Sequence, residues 1–113
     1  MTPRRWAVVA VVAISAVLAG SLAPGSAAGG LPADADKLLH AAGYATIALS
    51  VTGSQRAETT RALIAVVLAA TLLGVGVEVV QPTVGRTASV LDALANLLGA
   101  TAGAVGWRLA TVE

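Results

Sequence analysis

Residues 6–23 pass without a single charged side chain, and a stretch of that kind decides more about this protein than any other feature. At about 1.5 Å of helical rise per residue, roughly 20 apolar residues match the ~30 Å hydrocarbon core of a bilayer. Three further apolar stretches follow, over residues 38–53, 62–80 and 90–112. The third holds one charge, Glu78, near its end, and the fourth holds Asp92 near its start and Arg108 near its end. Hydrophobic residues make up 57 % of the 113-residue chain and charged residues 12 %. A soluble domain is about one-quarter charged, so this chain lacks the polar side chains to cover an aqueous exterior. The expectation is an all-α membrane bundle of about four transmembrane helices in a single domain over residues 1–113. Of the four, 38–53 is short for a span and would draw on flanking residues or local bilayer thinning.

The breaks between the stretches are chemically marked. Pro24, Gly25, Gly29, Gly30 and Pro32 form the first connection, and Gly53, Ser54 and Gln55 open the second. Pro82 and Gly85 stop the third helix, since proline donates no backbone hydrogen bond. Ser89 with Asp92 three residues on reads as an N-cap for the fourth. The first stretch also has a reading as a secretory signal peptide, with Arg4 and Arg5 before it and a small-residue site near residues 26–28. Its apolar length exceeds the usual 7–15 residues of a signal core, which favours a retained helix.

Several function classes fall away. A net charge of +1 with no basic stripe gives nucleic acid no footprint. The absence of cysteine removes disulfides, thiolate metal sites and thiol nucleophiles. No phosphate-cradling glycine loop, dinucleotide motif or nucleophile–base pair occurs at recognisable spacing, and no cofactor is expected.

With an inside N-terminus, Arg4, Arg5, Arg56, Arg61 and Arg108 lie on the cytoplasmic side and Lys37 and Arg86 outside, five against two. Both termini are therefore expected in the cytoplasm of a multi-pass protein of the cell membrane. Trp6 and Trp107 would mark that same side as interfacial anchors. The outward ends of helices two to four then collect the unusual polar residues. Asp36, Lys37, His40 and Tyr44 start helix two, with His40 four residues from both Asp36 and Tyr44 and so on one face with each. Glu78 and Gln81 end helix three, Arg86 follows in the loop, and Asp92 and Asn96 open helix four. Gly99 and Gly103 continue that stripe as a close-packing face, for helix association in a membrane relies on small residues.

These residues also carry a resemblance. Asp36-Lys37-x-x-His40-x-x-x-Tyr44, followed by Glu78-x-x-Gln81 and Arg86-x-x-Ser89-x-x-Asp92-x-x-x-Asn96-x-x-Gly99-x-x-x-Gly103, resembles the paired signature of VanZ-like membrane proteins. The resemblance covers about residues 32–106. It implies a small integral membrane protein linked to the cell envelope, the family being named after a protein associated with resistance to teicoplanin.

The cluster has several readings. As a metal ligand His40, the only histidine, would draw on Glu78 and Asp92, a carboxylate-rich set with one nitrogen; a hydrogen-bonded histidine is preferred and no metal is expected. Glu78, Asp92 and His40 are the candidates for acid–base catalysis, against which stands simple pairing with Lys37 and Arg86. Lys37 and Arg86 could equally hold a phosphate or mark the membrane boundary. The leading expectation is a ligand site for the headgroup of an envelope lipid or lipid-linked precursor, formed by Asp36, Lys37, His40, Tyr44, Glu78, Gln81, Arg86, Asp92 and Asn96. The alternatives are an enzyme acting on such a lipid, or a structural subunit whose glycines pack on a membrane protein partner or a second copy. The topology is testable directly. Single cysteines at Ala28 and Thr83 should react with an impermeant thiol reagent in intact cells and one at Ala57 should not; the inverse pattern would place the cluster in the cytoplasm.

Overall fold

The computed structural model describes residues 1–23, 33–85 and 89–111. Four long helices account for nearly all of them, and no strand occurs among the described residues. Helix α1 spans Pro3–Ser21, α2 Ala33–Gln55, α3 Thr60–Val80 and α4 Val90–Thr111. Three of the starts have a chemical cause. Thr2 caps α1 by accepting from the Arg5 amide at 3.2 Å, with Pro3 in the first turn, where its missing N–H costs nothing. Thr59 caps α3 through the Ala62 amide at 3.1 Å, and Ser89 caps α4 through the Asp92 amide at 3.1 Å, as its sequence position predicts.

The ends are equally specific. At the end of α2, Arg56 adopts a left-handed φ of 49°, the Ala57 amide donates to Thr52 O at 3.0 Å, and the Arg56 amide donates to Gly53 O at 3.3 Å. This is the Schellman arrangement with arginine where glycine is usual. Past α3, Gln81–Val84 winds into a short 3-10 turn, and Gly85 at φ 75° ends it. Pro82 and Gly85 thus stop α3 in the expected place.

The second helix departs from expectation. The apolar run 38–53 suggested a short element, yet α2 is 23 residues long, roughly 34 Å at ~1.5 Å per residue. Asp36 and Lys37 lie within its first turns, at the start of the helix. Three described helices are long and apolar enough to cross a membrane: Pro3–Ser21, Thr60–Val84 and Val90–Thr111. By that measure the count is three, not four, and α2 falls short in apolarity rather than in length. Its hydroxyls are nonetheless satisfied within the helix. Thr46 donates to Ala42 O at 2.8 Å, Ser50 to Thr46 O at 2.6 Å and Thr52 to Ala48 O at 2.8 Å. Ser50 and Thr52 are thereby buried without an orphaned group.

Helix α2 sits at the centre, packed most extensively on α4 and then on α1, while α3 lies chiefly against α4. The α2–α4 contact is parallel. A Cβ at Gly99 would fall on the Ala41 carbonyl and one at Gly103 on the Ala45 carbonyl, so Gly99-x-x-x-Gly103 lies against Ala41-x-x-x-Ala45 backbone to backbone. The expected packing face is present, and its partner is α2. On the other side of α2, Gly43 receives Val17 and Gly53 receives the Trp6 ring, where an added Cβ would approach to 2.7 and 2.6 Å. Trp6 and Trp107 meet edge to face at 5.5 Å between centroids, so both tryptophans do lie at one end.

The exterior is apolar: Val8, Val11, Leu68, Leu72, Leu98 and Leu109 are all exposed, while Ser50, Thr52, Gln81 and Asn96 are inside. That inverts the soluble pattern and suits a hydrocarbon surrounding. Ala57 is buried, so the inner reporter cysteine for topology belongs at exposed Glu58 instead.

Leucine at Gly99 or Gly103 should destabilise the detergent-purified protein by at least ~1–3 kcal/mol, the usual cost of overpacking. Alanine should also destabilise, though less, because its Cβ already meets a backbone carbonyl that cannot rotate away. Unchanged thermal stability for Gly103→Leu would show that α4 does not rest on α2.

Candidate functional site

At the end opposite the tryptophans, the start of α2, the end of α3 and the start of α4 converge on His40. This imidazole is 7 % exposed, and its Nδ1 lies 3.1 Å from Asn96 Oδ1 on α4. An amide oxygen only accepts, so Nδ1 carries the hydrogen and Nε2 is left to face Asp36 Oδ2 at 3.7 Å. Asp36 is one turn earlier on the same face of α2, as the spacing of four requires.

Asn96 is 1 % exposed, deep enough that its amide needs protein partners. Oδ1 takes His40; the Nδ2 side lies over Gly74 of α3, where a Cβ would come within 2.8 Å. The same added atom would stand 3.4 Å from Tyr44 Cε1. Gly74 is therefore the gap in α3 that lets the α4 amide pass between helices. Sequence reasoning missed it, though it lies four residues before Glu78 and so on the same face.

Four buried polar oxygens here have no hydrogen-bond partner among the described residues: Tyr44 Oη, Glu78 Oε1, Gln81 Oε1 and Asp92 Oδ1. Tyr44 is fully buried, and Glu78 lies within electrostatic reach of Tyr44, Asp92 and His40. Leaving such groups unsatisfied costs ~1–3 kcal/mol each, so a run of them at one end calls for partners beyond the described side chains. The nearest cation among the described residues is Lys37, whose Nζ is 3.9 Å from Asp92 Oδ1, too far for a hydrogen bond.

The expected residues thus divide. Asp36, His40, Tyr44, Glu78, Asp92 and Asn96 gather, with Lys37 at the rim. Gln81 turns elsewhere: its Nε2 donates to Ser21 O at 3.2 Å, tying the turn after α3 to the end of α1. Arg86 lies outside the described residues. The carboxylates closest to His40 are Asp36 and Asp92, with one ligand atom from each of the three residues within 4.8 Å of the others. That set contains Asp36 where the sequence suggested Glu78.

A cleft of about 420 Å³ opens between α1 and α2 beside this cluster. Asp36, His40 and Ser21 supply polar groups to its lining, and Val17, Leu39 and Gly43 form part of its apolar wall. A second cleft of about 450 Å³ lies at the tryptophan end, lined by Arg56, Glu58, Trp107 and Arg108, where Arg108 donates to the Glu58 carbonyl. No protein-family model, curated protein or solved structure matches the chain.

If His40 and Asn96 act as one unit, their losses will not add. The cycle His40→Ala with Asn96→Ala should show a coupling of about 0.5–3 kcal/mol in detergent unfolding experiments. Asp92→Asn with Lys37→Gln should couple more weakly, at roughly 0.5–1 kcal/mol, because Lys37 keeps a third of its side chain exposed. Additivity in both cycles would dissolve the site.

Proposed function

We propose that this protein is a multi-pass protein of the cell membrane that binds the headgroup of an envelope lipid or lipid-linked precursor. In this reading the site faces outward and both termini are cytoplasmic. The observation that carries it is the α1–α2 cleft, whose lining combines Asp36 and His40 with the apolar Val17, Leu39 and Gly43. An occupant matched to it is amphipathic, with a polar group near His40 and a hydrocarbon part along α1. A lipid has that form. Leu39 is exposed on the outer surface as well as lining the cleft, so an acyl chain could leave sideways into the bilayer.

Two further elements support the reading. Helix α2 serves as the fourth span despite its polarity: it is clasped between α1 and α4, its hydroxyls bond its own carbonyls, and Asp36 and Lys37 sit in its first turns, where side chains reach the interface. The five-to-two distribution of Lys and Arg supports the orientation. The resemblance to VanZ-like proteins, carried by Asp36, Lys37, His40, Tyr44 and the Glu78–Gly103 motif, makes the cell envelope the natural place for the lipid.

An enzymatic reading is favoured by one observation: Glu78 Oε1 is shielded and unpartnered within electrostatic reach of Asp92 and His40. A carboxylate so placed is suited to proton transfer in a transformation of the same lipid. Glu78→Gln separates the two readings, because an enzyme would lose turnover while retaining the lipid.

Gly20 lines the cleft, and a Cβ there would meet no atom of the described residues within 4 Å. Gly20→Leu should therefore fill the cleft without straining the helices. Native mass spectrometry of the detergent-purified protein should show co-purifying lipid in the parent chain, less of it in Gly20→Leu and in Asp36→Asn, and unchanged thermal stability in Gly20→Leu. Full lipid retention in both variants would sink the proposal.

A further inference from the structure

We infer that the cleft at the tryptophan end is a binding site for the phosphate group of an anionic phospholipid, held between Arg56 and Arg108. Arg56 follows the last turn of α2 and Arg108 lies in the last turn of α4. Both line one cleft of about 450 Å³, together with Pro3, Gly53 and Trp107. That volume falls within the ~300–1,000 Å³ usual for small-molecule pockets. Two guanidinium forks beside an indole suit a ligand with a negatively charged head and an apolar flank.

The first support is charge that nothing neutralises. Arg4, Arg5, Arg56, Arg61 and Arg108 belong to this end, where Glu58 is the one acid among the described residues. Glu113 lies outside them. None of the five arginines forms an ion pair among the described residues; Lys37–Asp92 and His40–Asp36 pair at the opposite end. Arg108 donates to the main-chain carbonyl of Glu58, not to its carboxylate. That bond holds the guanidinium at the cleft, leaves its charge uncancelled and keeps the rest of its fork for an acceptor.

The second support is the backbone of Arg56. Its φ of 49° is left-handed, and glycine is the ordinary residue for that conformation at a helix end. Arginine strains a turn that glycine would make freely. Cations are attracted to the carbonyl ends of α2 and α4, but any position in the last turn would serve that attraction. It does not account for an arginine at the strained position itself.

The third is place. Trp6 and Trp107 stand together at this end, and indoles favour the headgroup level of a bilayer. Phosphate is the anion abundant at that level, and basic pockets between membrane helices suit anionic headgroups. Arg4, Arg5 and Arg61 do not line the cleft, which separates a built site from a general excess of positive charge. The site is distinct from the cleft beside His40 and does not rest on the reading given for it.

The test titrates the full chain in detergent by isothermal calorimetry with short-chain phosphatidylglycerol, short-chain phosphatidylcholine and inorganic phosphate. Phosphatidylglycerol should bind at least about tenfold more tightly than either of the others, and Arg56→Gln and Arg108→Gln should each weaken it at least about tenfold, the scale of a lost charged hydrogen bond. Glu58→Gln removes the one carboxylate in the described lining and should strengthen binding, while Arg61→Gln should change it by less than about twofold. Arg56→Gly keeps the test decisive if a glutamine variant does not fold. It should raise thermal stability by relieving the left-handed backbone, and still weaken phosphatidylglycerol binding. Equal affinity for phosphatidylcholine would overturn the assignment, and equal affinity for inorganic phosphate would overturn the lipid as its source. Binding unaltered in Arg56→Gly but lost in Gly20→Leu would place the phospholipid in the His40 cleft and overturn this site alone.

Discussion

The close parallel approach of α2 and α4 governs what this molecule can present at the end that holds His40. At Gly99 and Gly103 the α4 backbone rests on the Ala41 and Ala45 carbonyls with no side chain between. In hydrocarbon, water supplies no hydrophobic drive for such an approach, so contact between small residues has to hold the helices together. Once Gly99 is set against Ala41, the rest of the register is fixed. Asn96 arrives beside His40, and one turn further out Asp92 arrives beside Lys37. The polar site is thus a consequence of a packing contact lying deeper in the bundle.

From there, polar order passes across all four helices. His40 joins α2 to α4 through Asn96, Asn96 fills the space left by Gly74 of α3, and Gln81 reaches the Ser21 carbonyl of α1. These contacts differ in kind. The Asn96 and Gln81 bonds satisfy groups that have nowhere else to go, and they hold this end of the bundle together. Asp92 Oδ1, Glu78 Oε1 and Tyr44 Oη remain without hydrogen-bond partners among the described residues in the same neighbourhood. A bundle that satisfies its hydroxyls along α2 so completely, yet leaves three oxygens without hydrogen-bond partners among the described residues near one histidine, concentrates its unmet bonding at that end.

Much of this was legible in the sequence because the relevant signals are local. Long charge-poor runs marked α1, α3 and α4, and Ser89, Pro82 and Gly85 marked ends that the structure keeps. The spacing of four correctly placed Asp36, His40 and Tyr44 on one helix. Helix α2 is longer than its apolar run for a physical reason: the run begins only at Leu38, whereas charged side chains such as Asp36 and Lys37 extend a helix readily at its end. Longer-range facts were not legible. Nothing in the periodicity of α3 shows that Gly74 lies opposite Asn96, or that Gln81 spans to Ser21 rather than pointing inward with Glu78. Nor could spacing reveal that Asp36, and not Glu78, shares the closest cluster with His40 and Asp92. Those relations depend on interhelical rotation, which the Gly99–Ala41 contact sets.

The tryptophan pair has an optical consequence. Both indoles stand in edge contact at one end, while the one tyrosine is enclosed at the other among the polar groups. Emission excited at the red edge of the absorption band comes from the indoles alone and registers the seating of α1 against α2 and α4. Phenol absorption changes register the neighbourhood of His40. The chain therefore carries two chromophores of different colour at its two ends, and events at either end can be followed without attaching a label.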